Sequence, residues 1–164
     1  MAMSTTTTRA EEYAARFAAA NDEVIALVVD CTEEQWRLRC VDEERSVAVV
    51  AHHIAEVNAA FTRMVARLAR GQTYSPQTSM AEIDRQNAQH ARDHAGVGKP
   101  EVLDGLRSSG EAIARQLAVL SDAQLDRVAG VFGGREMSVA QVVEYVVIGH
   151  TAAHLDSIRA TVAG

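Results

Sequence analysis

Ser46-Val47-Ala48-Val49-Val50-Ala51-His52-His53-Ile54-Ala55-Glu56 and, much later, Gly149-His150-Thr151-Ala152-Ala153-His154-Leu155-Asp156-Ser157-Ile158 are the stretches that decide how this chain is read. A serine followed by an apolar run is a helix start, because its hydroxyl accepts from a free backbone N–H of the first turn. Each turn of an α-helix advances about 100° per residue, so the direction of every side chain follows from its number. With His53 set to zero, Val50, Val57, Ala60, Met64 and Leu68 fall between about −20° and +60°. His53 therefore rides on the apolar stripe, and His52, about 100° away, on its flank. On the second stretch His150 and His154 lie about 40° apart and share their arc with Val139, Val143, Val146, Val147 and Ile158.

The rest of the chain reads the same way. Thr8-Arg9-Ala10-Glu11 and Ser79-Met80-Ala81-Glu82 have the pattern of a capping box, in which cap and third-residue side chains satisfy each other's backbone N–H groups. They open helices expected to run to about Asp30 and Gly96. Thr32 to Gln35 and Ser121 to Gln124 open short turns, the first carrying Trp36. Asp42 to Arg45 is a charged connector. The Ser46 helix ends near Arg70, since Gly71 is a natural C-terminal stop. Gly71 to Thr78 reads as a loop. Pro100 suits the first residue of a helix reaching Leu120. Val128 to Met137, with Gly130, Gly133 and Gly134, is a loop or small hairpin, and Ser138 caps a final helix. With aromatics at 4% and only 2 prolines, the expected fold is all-α. It is a four-helix bundle with short extra helices, and connections this short favour an up-and-down order. One domain spanning 1–164, with 1–8 disordered, is expected.

A formal charge of −6 argues against a nucleic-acid partner, which would need a concentrated basic surface. Arg63, Arg67 and Arg70 are read as a solvated helix face, a contact for an anionic ligand being the alternative. No apolar stretch spans a bilayer. Cys31 and Cys40 match no metal or redox spacing and are expected to be reduced thiols, buried or half-buried, in a cytoplasmic protein.

Chemistry is concentrated in six histidines. Two imidazoles one turn apart on an interior face, with a third on a facing helix, present nitrogens to one metal ion. Spacing alone leaves two readings of His53, His150 and His154 open: hydrogen-bonded core residues, or ligands. His90 and His94 share a face with Ile83 and Asn87, but also with Gln86, and are placed at the surface or a pocket rim, a role facing the substrate or behind the ligands remaining open. Glu56, about 60° from His53, is either a group behind the ligands or a solvated carboxylate. Glu144 and Asp156 point away from the histidine face, and no serine, cysteine or paired-carboxylate catalytic set emerges.

The serine-capped helix with one histidine seven positions on, the preceding Trp36 and the terminal H-x-x-x-H followed by an isoleucine resemble the DinB/YfiT-like superfamily. That resemblance covers almost the whole chain. It implies a four-helix bundle of crossed connectivity, often a homodimer, with a metal held by His53, His150 and His154. It also implies thiol chemistry, since the superfamily includes mycothiol-dependent maleylpyruvate isomerase and bacillithiol transferases. The isomerase branch carries glutamate where His150 stands, a departure that weakens the transfer of that particular reaction to this chain. The expected function is a metal-dependent thiol transferase, isomerase or hydrolase. Its ion activates a low-molecular-weight thiol or water against a small-molecule substrate; the ion would be zinc first, with nickel, manganese and iron also fitting three nitrogens. The alternative is a non-catalytic metal- or small-molecule-binding stress protein.

Overall fold

Hydroxyl side chains start most of the helices in the computed structural model, which describes residues 7–164. Thr8 caps α1 (Arg9–Asp30), and Glu11 returns the bond to Thr8 N at 2.7 Å. Thr32 caps α2 (Glu33–Arg37) in the same reciprocal way. Ser46 caps α3 (Val47–Ala69), and Ser79 caps α4 (Met80–Asp93). Only half of the expected Ser79 box forms, because Glu82 turns instead to Arg85 and Gln86. α5 (Lys99–Ala118) carries Pro100 in its first turn, and Ser121 caps α6 (Asp122–Leu125). Of the residues expected to be disordered, 1–6 lie outside the described part, and Thr8 is ordered as a cap.

Val128–Phe132 (β1) and Arg135–Ser138 (β2) pair as the small hairpin. Its two-residue turn is Gly133-Gly134 with φ of 57° and 78°, the left-handed pair that a type I′ turn requires. The Gly71–Thr78 connector is an irregular loop pinned to β1, since Tyr74 N donates to Ala129 O and Val131 N to Tyr74 O, both at 2.9 Å. Ser138 then caps a continuous rod of α7 (Val139–Gln141), a π-helical stretch Val142–Ile148 and α8 (Gly149–Ala163). The fold is all-α apart from the hairpin, and no helix among the described residues is long and apolar enough to cross a membrane.

The order of helices corrects the up-and-down expectation. α1 packs on α5 and on the terminal rod, and α3 packs on the same two. Two apolar clusters show the directions. One joins Phe17, Leu68, Leu117 and Val143; the other joins Val28, Val50, Leu106 and Ile158. The start of α1 and of the rod thus share one end with the finish of α3 and α5. α3 and α5 are parallel neighbours, and the chain must travel back along the bundle between them. The segment containing α4 makes that return. Short connections could not have done it.

A polar layer separates the clusters. Asn58 is wholly buried and donates to Asn21 Oδ1 (3.3 Å) and Ser109 Oγ (3.4 Å), while Asn21 donates to Leu106 O (3.1 Å). Gly110 faces this layer: a Cβ there would stand 2.9 Å from Asn21 Cγ and closer still to its amide nitrogen. Alanine ordinarily strengthens a helix interior by about 1 kcal/mol over glycine. Here the overlap, worth about 1–3 kcal/mol and compounded by broken buried hydrogen bonds, wins. Gly110→Ala is expected to lower the midpoint of urea unfolding. A midpoint equal to or above that of the parent would contradict the packing described here.

Candidate metal centre

His53 on α3 and His150 and His154 on α8 meet where these antiparallel helices face each other. His150 Nε2 lies 3.3 Å from His53 Nε2 and 3.1 Å from His154 Nε2. One ring nitrogen from each of the three thus falls in a single small volume, all within 4.8 Å of one another. Phe61 stands edge-on to His150, its ring centroid 5.3 Å away.

The proton count around these rings is tight. His154 Nδ1 lies 2.7 Å from Glu43 Oε1, so that nitrogen carries a proton toward the carboxylate and the ring turns Nε2 to the cluster. A single hydrogen on His150 Nε2 can point at His53 or at His154, but not well at both. His150 Nδ1 is buried and finds no partner among the described residues. Nitrogens gathered this closely can share protons in pairs or each turn a lone pair to a cation at the meeting point. The donor set fits a divalent ion.

Electrostatics agree. Burial, then the charge of Arg45 and the neighbouring imidazoles, pushes His53 down to about 3. Burial and the neighbouring His154 and Arg45 do the same to His150, also to about 3, against the pull of Glu43. Both rings are neutral near pH 7, the form in which imidazole binds a metal. Glu43 is almost wholly covered, and burial alone would raise its pKa. The hydrogen bond and charge of His154, with the charge of Arg45, outweigh that and hold it at about 2. Arg45, 8% exposed, reaches Glu43 Oε2 at 2.6 Å. A carboxylate that fixes the far nitrogen of a histidine sets its tautomer and raises its basicity, an arrangement common behind metal ligands.

His154 also lines a cleft of about 1150 Å³. The connector Asp42 to Arg45, α4 through Asp84, Asn87, Ala88 and Ala91, and α8 through Ala153, Asp156 and Ser157 form its walls.

Several residues stand elsewhere than expected. His52 is 8% exposed, as deeply set as a core residue, because α4 covers the flank of α3 that helical phase alone left open. His90 and His94 are drawn to it instead of standing at the surface: His52 Nδ1 to His90 Nε2 is 3.0 Å, and the His52 and His94 rings stack at 3.9 Å. Burial lowers the pKa of both His52 and His90. Glu56 turns to this group, 3.1 Å from His90 Nε2. Glu144 pairs with Arg16 at 2.6 Å, away from the histidines as expected. Arg63, Arg67 and Arg70 are exposed, and Cys31 and Cys40 are free and buried. Glu43 and Arg45 were hidden in the charged connector, where nothing in their order signals burial. The π-helical stretch was equally silent, being a run of valines around Glu144 and Tyr145. Its extra residue per turn shifts His150 and His154 relative to Val139 and Val143, so their common arc is not that of a uniform helix.

A helical bundle with half-buried histidines gathered from facing helices is the class of protein that fold and site define. A family model of the DinB superfamily matches residues 16–158, and the chain belongs to that superfamily. Searches of curated proteins and of solved structures find no match.

The two depressed histidines give a pH dependence for the chain stripped of metal. Unfolded, each titrates near 6.5; folded, near 3. Between those values the unfolded state binds more protons, so stability falls as pH drops from about 6.5 toward 3. Urea unfolding of chelator-treated protein across that range should show the decline, and His150→Ala should flatten it. A decline of equal steepness in His150→Ala would contradict the assignment.

Proposed function

We propose that His53, His150 and His154 hold one divalent metal ion, zinc before nickel, manganese or iron, and that the protein is a metal-dependent enzyme acting on a small molecule bound in the adjoining cleft. The observation that carries this reading is the approach of three imidazole nitrogens from two helices into one small volume, with a carboxylate fixing the far nitrogen of one of them. Membership of the DinB superfamily supports it. A divalent ion would supply the positive charge that makes a low-molecular-weight thiol or a water molecule nucleophilic near neutral pH.

The chain's own residues account for the remaining tasks. His53 and His150, kept neutral by burial, offer lone pairs without competing protons. Glu43 accepts the Nδ1 proton of His154 and aims the opposite nitrogen at the other two rings. Arg45 offsets the charge of Glu43, so the site presents neutral donors rather than an extra carboxylate. With three protein ligands, an ion of tetrahedral preference keeps one position for substrate. His154 is the member of the three that also lines the cleft. The cleft also exposes Asp42, Glu44, Asp84 and Asp156, which disfavours strongly anionic substrates.

Elemental analysis and titration calorimetry on chelator-treated, reloaded protein test the ligand set. His150→Ala should abolish binding at this site, and Glu43→Gln should weaken it by about 10- to 100-fold. Unchanged affinity in His150→Ala would sink the triad. The metal-loaded chain is then assayed with several thiols, and with water alone, against a panel of electrophiles and esters. Turnover lost in His53→Ala is expected; no turnover above that variant would contradict the enzymatic part and favour a protein that sequesters its ligand.

A further inference from the structure

α4 poses a physical puzzle. Its 14 residues bury no side chain, and its apolar residues Met80 and Ile83 are 70% and 36% exposed. A helix this short is marginal by itself in water and ordinarily depends on a packed apolar face. α4 has none, yet it carries the chain back along the bundle and forms one wall of the cleft.

What α4 does bring to α3 is histidine. His90, in its last turn, and His94, its C-cap, lie over His52 and Glu56. His90 Nε2 is 3.0 Å from His52 Nδ1 and 3.1 Å from Glu56 Oε2, and His94 Nε2 is 4.0 Å from Glu56 Oε1. One donor atom from each of the four residues lies within 4.8 Å of the others. His90 Nδ1 is buried with no partner among the described residues, so the protein's own hydrogen bonds do not complete this group.

We propose that His52, Glu56, His90 and His94 form a second divalent-cation site that clamps α4 onto α3. It adjoins the triad, since His52 and His53 are consecutive and the His90 ring stands edge-on to His53 at 5.5 Å between centroids, but it shares no ligand with it. Three imidazoles and a carboxylate supply four ligands, enough to close a tetrahedral shell with no position left open, as in structural rather than catalytic sites. The nitrogen-rich set selects a zinc-class ion over calcium or magnesium, which take oxygen ligands. The carboxylate of Glu56 offsets half the ion's charge. The consequence reaches the cleft: Asp84, Asn87, Ala88 and Ala91 hold their places in its wall only while α4 is fastened.

The test uses the full chain, stripped by chelator and reloaded with zinc ion alone. Ions per chain are counted after desalting, and amide hydrogen exchange is followed along α4. The proposal expects two ions in the parent, one in His90→Ala and one in His150→Ala. Loading should slow exchange in α4 of the parent and of His150→Ala but not of His90→Ala. His94→Ala, altered only at the helix cap, guards against a folding failure of His90→Ala; by circular dichroism it should remain helical while losing the same ion. A single ion in the parent that His150→Ala loses and His90→Ala keeps would overturn the second site and leave the triad standing. A single ion with the opposite dependence would uphold the second site and overturn the triad. Two ions that persist in both His90→Ala and His94→Ala would overturn the clamp.

Discussion

The hydrogen bond between Glu43 and His154 governs the rest of the site. An imidazole has one proton to place when neutral, and a buried carboxylate at 2.7 Å from Nδ1 determines where it goes. Nε2 is then the nitrogen that faces the space where His150 and His53 also turn theirs. A carboxylate buried in that position would be costly unpaired. Arg45, itself covered, makes it tolerable and adds to the burial that keeps His53 and His150 from taking up protons. The short connector before α3 is thus an electrostatic component of the histidine cluster, even though no residue in it belongs to the triad.

Topology explains how these parts come together. α3 and the terminal rod run antiparallel and adjacent, which brings His53 opposite the pair one turn apart on α8. Because α5 is parallel to α3, the chain needs a long return, and α4 is that return. Lying across the flank of α3, it converts His52 from an edge residue into a buried one and closes a second wall on the cleft. The π-helical stretch just ahead of His150 resets the phase of the rod, so the valines of its first half can pack in one cluster while its histidines face α3.

Much of this was legible in the sequence because it rests on local chemistry. Serine and threonine caps marked most of the helix starts correctly, as their hydroxyls bond to backbone only a few residues on. The glycines at 130, 133 and 134 left a loop or a small hairpin open, and the hairpin forms because Gly133 and Gly134 both take the positive φ its turn requires. Helical phase put His53 inward from its own helix alone. It failed for His52, whose burial is imposed by a different element, and for His90 and His94, whose surroundings depend on where a crossover lands. Glu43 and Arg45 were illegible for a related reason: charged residues in a connector are ordinarily solvated, and only the third dimension brings His154 to them. Helix order was misjudged because loop length was counted without treating α4 as part of a connection.

The account rests on three imidazoles converging on one cation, and diffraction from zinc-loaded crystals across the zinc absorption edge tests it most directly. The expected result is an anomalous peak about 2.0–2.1 Å from one ring nitrogen of each of His53, His150 and His154. The absence of a peak between those rings in crystals that contain zinc elsewhere, or a peak held by only one of them, would contradict it.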